Sequence, residues 1–327
     1  MKRGLIVPTI VLASVCLMGL RYELRARSAN EAGHLPELLD MAPADSTFIL
    51  YADVATLRQD PLVERAAALA QPKTQDRDYL EFVRATGFDY QRDLDRVVFA
   101  TRPGPAAGGT IAVAEGRFDQ KKIADYALRS GKIENQNGRD VYVVPSVTPG
   151  KGISFAFLSA NRIAISDGGN FFATPGGFSP APLDPAMHDR LSRVAGAPLF
   201  FAAKTPARSA TGAGAAPAVP SLLESLRWLD FAARPDGGTL VLSAEGECGS
   251  PEAAQKVATT LELLRNMLQG AVADPKAASR MPAASTSAIE RLLKAASVST
   301  TAERVRLLVT MTPDMLNVAA PAVPAGR

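Results

Sequence analysis

The residues best spaced to share chemistry are Glu115 and Glu245, because each closes a short text that occurs twice. The first copy is Phe99-Ala100-Thr101-Arg102-Pro103, then Gly109-Thr110-Ile111-Ala112-Val113-Ala114-Glu115-Gly116. The second is Phe231-Ala232-Ala233-Arg234-Pro235, then Gly238-Thr239-Leu240-Val241-Leu242-Ser243-Ala244-Glu245-Gly246. Two carboxylates facing a shared cleft could divide general-acid and general-base work. The competing reading is structural: Arg102 with Glu115, and Arg234 with Glu245, pair across their hairpins and hold the register. Repetition of both residues is what a fold constraint produces, so the structural role is expected.

Other reactive groups are sparse. The two histidines, His34 and His188, stand far apart with no H-x-x-x-H or C-x-x-C, so no zinc or transition-metal site is expected. Asp89, Asp93 and Asp95 have a spacing that could serve calcium, but no EF-hand loop surrounds them. Cys16 falls in an apolar run, and Cys248 stands beside Glu245 and Glu247, whose charges oppose a thiolate. There is no G-x-S-x-G elbow, no S-x-x-K dyad and no G-x-G-x-x-G after a strand. Pro149-Gly150-Lys151-Gly152 lacks the phosphate-loop frame and reads as a hairpin. No cofactor is expected. Phe155, Phe157, Phe171 and Phe172 are the candidates to line a site for an apolar ligand.

These groups must be positioned by elements that the apolar pattern makes visible. Phe48–Asp53, Arg96–Thr101, Thr110–Gly116, Asp140–Val144, Ile153–Leu158, Arg162–Ser166, Pro198–Ala203 and Arg304–Thr310 read as strands. Asn137-Gly138 marks a tight turn. Asp60-Pro61, Asp119, Pro185 and Ser250-Pro251 signal helix starts. Helices are also expected over Tyr79–Thr86, Ser221–Leu229 and Ala288–Ala296. In the helix after Ser250, Val257, Leu261, Leu264 and Leu268 share one face.

Each copy of the repeated text has a strand before it, a helix in between and a helix after it. The expected fold class is therefore α+β: two similar lobes from an internal duplication, each a mainly antiparallel sheet with helices packed on one face. The expected divisions are 1–28 signal peptide or N-terminal membrane anchor, 29–45 tether, 46–172 first lobe, 173–183 linker and 184–318 second lobe. Flexible insertions are expected at 205–220 and 271–287, and a disordered tail at 319–327.

With 327 residues and 47% hydrophobic content, the chain has material for a sizeable core. Its formal charge of +3 does not signal nucleic-acid binding. The first 28 residues hold Lys2, Arg3, Arg21, Arg25 and Arg27 against Glu23 alone, leaving a net charge of −1 on the rest. Lys2 and Arg3 precede an uncharged apolar run from Gly4 to Leu20, the n-region and h-region of an export signal. Cleavage after Ser28 would release the chain, whereas retention of the segment would anchor it.

The text Leu38-Leu39-Asp40-Met41-Ala42-Pro43-Ala44-Asp45, then Phe48–Tyr51, Asp53-Val54 and Leu57-Arg58, resembles a pattern in exported or membrane-anchored bacterial envelope proteins of two-lobed α+β type, which have no assigned activity. It departs from their form at Met41-Ala42-Pro43, where Leu usually stands directly before Pro. The resemblance carries no catalytic residues. The expected function is that of a non-enzymatic, membrane-tethered envelope protein acting as a protein-interaction module. It would be anchored in the inner membrane facing the periplasm, or be periplasmic or secreted if cleaved. The alternatives are a periplasmic carrier of an apolar ligand and a hydrolase with an unfamiliar carboxylate site.

Overall fold

The computed structural model describes residues 35–70, 77–103, 109–145, 152–167, 172, 182–205, 225–274 and 283–316. The expected signal or anchor over 1–28, the linker from 173 to 181, the insertion from 206 to 220 and the tail over 319–327 lie outside them. The protein is α+β, with extensive antiparallel sheet and helices. The chain divides into two compact units, Met1–Ala203 and Lys204–Arg327.

The first unit opens with a 3-10 helix, Glu37–Met41, and strand β1, Phe48–Asp53. Four helices follow: α1 (Val54–Leu57), α2 (Pro61–Ala70), α3 (Arg77–Thr86) and α4 (Tyr90–Asp93). The hairpin β2 (Leu94–Arg102) and β3 (Gly109–Gly116) leads to α5 (Gln120–Ala127). A meander of β4 (Lys132–Gln136), β5 (Arg139–Pro145), β6 (Gly152–Ser159) and β7 (Arg162–Ser166) comes next. Helix α6 (Pro185–Val194) and β8 (Leu199–Lys204) complete the unit. Its strand order is β8-β1-β2-β3-β7-β6-β5-β4, with every pairing antiparallel.

The second unit has β9 (Leu226–Asp236), β10 (Thr239–Cys248), α7 (Pro251–Ala273), α8 (Ala283–Ala295), β11 (Ala296–Thr301), β12 (Arg304–Met311) and a closing 3-10 helix, Pro313–Leu316. Its order is β11-β12-β10-β9. Helix α7 packs on one face of this sheet: Ala254, Val257 and Ala258 form a core with Cys248 and Val305.

The local starts and turns follow the expected chemistry. Asp60 accepts from Leu62 N and Val63 N, Asp119 from Lys122 N, Asp184 from Ala186 N, and Ser250 Oγ from Ala253 N. Asn137 and Gly138 both adopt positive φ, as do Gly237 and Gly238, which suits two-residue hairpin turns. Gly116 is required by close approach: a Cβ there would lie 2.2 Å from the carbonyl oxygen of Asp93, beside the irregularity between Leu94 and Arg96.

Several expectations need correction. The tether over 29–45 contains the first 3-10 helix, with Leu38, Leu39 and Ala42 buried, so at least this part belongs to the fold. Helix α6 and strand β8, expected in the second lobe, belong to the first unit because β8 pairs with β1 from Phe48↔Ala203 to Ala52↔Leu199. Leu226–Leu229 are strand, not helix, since they continue the β9 ladder against β10. The insertion over 271–287 overlaps α7 at its start and α8 at its end. Helices on one face do not describe the first unit. Ile49–Ala52, Val97–Ala100 and Ile111–Gly116 are buried at consecutive positions, so both faces of these strands are covered.

Because Leu39 is fully buried, Leu39→Ala is expected to cost about 2–5 kcal/mol in urea unfolding. A change below about 0.5 kcal/mol, the scale of a surface substitution, would show that this segment is no part of the core.

Candidate functional site

Glu115 is 4% exposed and occupies the centre of a row across three strands. Arg96 of β2 stands opposite it on one side, and Arg162 of β7 on the other. Arg96 Nη2 lies 2.7 Å from Oε2, and Arg162 Nε donates to Oε1 at 3.0 Å. Arg162 also reaches Glu37 of the 3-10 helix at 3.6 Å. The expected Arg102–Glu115 pair does not form. Arg102 lies opposite Gly109 at the other end of the hairpin, and its guanidinium instead grips Asp45 through Nε to Oδ1 at 2.8 Å and Nη2 to Oδ2 at 2.9 Å.

In the second unit, Glu245 stands between Asp230 of β9 and Arg306 of β12. Arg304 Nη1 donates to Oε1 at 3.1 Å, and Arg306 Nη2 lies 3.3 Å from Oε2. Arg234 is exposed and opposite Val241, so the expected Arg234–Glu245 pair is also absent. Each glutamate is thus taken up by two guanidinium groups of its own unit. In Glu115, Oε1 accepts from Arg162, and Oε2 is buried and held by its ion pair with Arg96 without a hydrogen bond. The partner arginines were missed because the ladder register, not sequence distance, sets them opposite the acids.

The remaining candidates are also structural. Asp89 caps α4 through Gln91 N and accepts from the Tyr79 hydroxyl at 3.1 Å. Asp93 receives Arg92 Nη2 at 2.7 Å and Arg117 Nε at 3.3 Å. Asp95 lies 3.8 Å from Arg117 Nη1 and 4.0 Å from Arg58 Nη1. Among the described residues, no group of three or more His, Cys, Asp or Glu could hold a metal ion. The hydrogen bond from Arg92 holds the Asp93 carboxyl down at a pKa of about 2, against the opposing effect of burial. Cys248 is fully buried; burial, then the charge of Glu247, pushes its thiol pKa up and makes it a poor nucleophile. His188 is exposed on α6, and His34 lies outside the described residues.

One concave feature accepts a predicted residue. A depression of about 410 Å³ is lined by Phe118, Gln120, Phe157, Leu158, Ser159 and Ala160. Gln120 Nε2 donates to the carbonyl of Ser159 at 2.7 Å, fixing the start of α5 against the end of β6. Phe118 stacks on Phe88 with centroids 5.1 Å apart. Phe157 packs edge-on against Phe155 at 5.7 Å and Tyr142 at 5.9 Å. Of the four candidate phenylalanines, Phe157 lines this surface, while Phe155 is buried behind it and stacks on Tyr142 at 4.9 Å. Phe172 is buried elsewhere, with its carbonyl accepting from Asn137 Nδ2 at 2.9 Å, and Phe171 lies outside the described residues. None of the lining side chains is titratable, so the depression can bind through dispersion and amide hydrogen bonds but offers no acid or base.

Helix α7 presents a different surface. Leu263, Met267 and Leu268 are 58%, 62% and 51% exposed. Leu268 was expected on the buried face. The core cluster with Cys248 and Val305 reaches Leu261; beyond it, Arg265 Nη1 meets Ala296 O at 2.9 Å and Gln269 Nε2 meets Leu293 O at 3.4 Å, and Val272 is buried again near the end of the helix. Among the described residues, no helix is long and apolar enough to cross a membrane, which leaves residues 1–28 unaddressed.

No family model matches the chain, and no curated protein matches it. Solved structures of TP0453 are similar to it. Crystal form III has a TM-score of 0.46 at 9% identity, covering 86% of this chain and 96% of that one. Crystal form IV has 0.47 at 10% identity, covering 86% and 94%, and crystal form I has 0.43 at 9%, covering 88% and 97%.

Removing Glu115 would leave Arg96 and Arg162 facing each other. Glu115→Ala is expected to cost about 3 kcal/mol in urea unfolding, the low end for a buried ion pair because both arginines reach solvent. Glu245→Ala is expected to cost about 1 kcal/mol, since its arginines are more exposed; equal small losses would refute the clamp. The Asp93 carboxyl has a lowered folded pKa, so its stabilisation is present above the unfolded value near 4 and is lost as pH falls through about 2. Asp93→Asn should be less stable at pH 7 and lose less between pH 4 and 2 than the parent, as read by urea midpoints; parallel losses would contradict this.

Proposed function

We propose that the chain is a non-enzymatic exported protein that acts as a protein-interaction module in the bacterial cell envelope. Residues 1–28 direct export, and either hold the chain in the inner membrane facing the periplasm or are removed near Ser28. The observation that carries the interaction role is the exposed apolar stripe on α7: Leu263, Met267 and Leu268 stand out on a helix whose inner face is already packed. The guanidinium clamps on Glu115 and Glu245 support a non-catalytic reading and weigh against a carboxylate hydrolase.

The two units are further proposed to descend from one duplicated unit. The repeated text supports this, as does a shared order: a hairpin, a helix, and a later strand that returns to pair with the second hairpin strand. In each case that returning strand sets an arginine opposite the glutamate, Arg162 to Glu115 and Arg306 to Glu245. A second functional reading, a carrier of an apolar ligand, is favoured by the depression beside Phe157.

Fractionation with N-terminal sequencing tests the address. An intact Met1 in the membrane fraction is expected for the anchored form, and a start near Ala29 in the periplasm for the released form; an intact chain in the cytosol would defeat export. For the interaction role, a discrete crosslinked adduct in intact cells should disappear in Leu263→Gln/Met267→Gln at unchanged melting temperature. An adduct indifferent to that change would sink the α7 surface. For the carrier reading, delipidated protein should take up a fluorescent fatty-acid probe and Phe157→Ala should weaken it; no uptake would end that reading.

A further inference from the structure

We infer that β11 is a docking edge for a second copy of this chain, forming an antiparallel β11–β11 pairing about a two-fold axis. It goes beyond the interaction role proposed above and does not depend on where the chain resides.

Strand β11 ends the sheet order, and among the described residues no strand pairs with its outer side. An edge of this kind presents backbone N–H and C=O groups at strand spacing, and the occupant that satisfies them is another strand. The edge strand β4 of the first unit is guarded: it has five residues, and Lys132 and Glu134 form an ion pair at 2.7 Å. Charge on an edge strand deters pairing with a foreign strand. In contrast, β11 reads Ala-Ser-Val-Ser-Thr-Thr, with six residues, no charge and no proline.

The edge is held in shape from behind. Thr300 Oγ1 contacts Gln255 of α7 at 3.4 Å, and Arg265 of the same helix donates to Ala296 O at 2.9 Å. A supported strand has lost its conformational freedom before it meets a partner, which lowers the cost of association.

Self-complementarity selects a second copy as the occupant. A two-fold axis perpendicular to the sheet makes the contact antiparallel and sets residues of the same face opposite each other. The row Ser297, Ser299 and Thr301 then meets itself, as does the row Ala296, Val298 and Thr300. Ser and Thr hydroxyls pair favourably across strands, and no like charges are opposed. The nearest cations on the neighbouring strand, Arg304 and Arg306, are already engaged by Glu245. Leu308, opposite Ser297 on β12 and 37% exposed, adds apolar area beside the contact. A six-residue edge is smaller than a permanent interface, so the dimer is expected to be in equilibrium with the monomer and to depend on concentration.

The test is the mass of the full chain in mild detergent with reductant, by sedimentation and light scattering. A dimer is expected at about 50 μM, and Ser299→Lys should weaken it about tenfold or more by opposing like charges at the edge. Ser297→Lys provides an independent edge variant should the first fail to fold, and Asn135→Lys on β4 should leave the dimer intact. A monomer up to about 200 μM would overturn the inference, as would a dimer that survives both edge lysines, the result expected of association through residues 1–28.

Discussion

Burial of β1, β2 and β3 on both faces is the constraint from which the first unit follows. Ile49–Ala52, Val97–Ala100 and Ile111–Gly116 leave no position inside the sheet where a charge could meet water. A charge placed there would need a partner to offset its desolvation. These three strands therefore carry their ionic groups toward their ends. Glu115 lies between Arg96 and Arg162 at one end, and Arg102 grips Asp45 at the other. Two-sided burial also explains the 3-10 helix Glu37–Met41, which brings Leu38 and Leu39 into the core and Glu37 to Arg162.

Among the described residues, Glu115 and Glu245 are committed to holding strands together. The thiol of Cys248 is sealed under α7, and the Asp93 carboxyl is spent on arginines beside the β2 irregularity. Among the described residues, other surfaces stand open: an aromatic wall ending in Phe157, an apolar helix flank at Leu263 and Met267, and the uncharged edge of β11. All three offer dispersion or backbone hydrogen bonds, which suits binding better than catalysis.

Much of this was legible in the chain itself. Helix starts at Asp60, Asp119, Asp184 and Ser250 depend on contacts within three residues, and the turn at Asn137-Gly138 depends on backbone freedom alone, so both show in local text. Two-sided burial was also written there, in strands that run apolar without alternating, yet the one-face arrangement expected of an antiparallel sheet obscured it. The partners of Glu115 and Glu245 were out of reach because they depend on register. Glu115 lies three residues past Ala112, which faces Phe99, whereas Glu245 lies one past Ala244, which faces Phe231. Tertiary support was equally invisible: Phe155 and Phe157 share a strand face, but the stacking of Tyr142 buries one and leaves the other at a surface.

That difference in register bears on the proposed duplication. The glutamate is displaced by two residues between the hairpins, an even number, so in both it lies on the face opposite the phenylalanine. A shift of one would have sent it onto the face of the phenylalanine, away from the arginine of the returning strand. A two-residue slip is therefore the smallest change that alters the loop while keeping the glutamate and its arginine on one face. The second hairpin closes with Gly237 and Gly238 at positive φ, whereas in the first the ladder ends at Arg102↔Gly109. Under the proposed duplication, turns that differ while the acid stays on its face are the pattern expected when the Glu–Arg contact between the hairpin and the returning strand is what selection preserves.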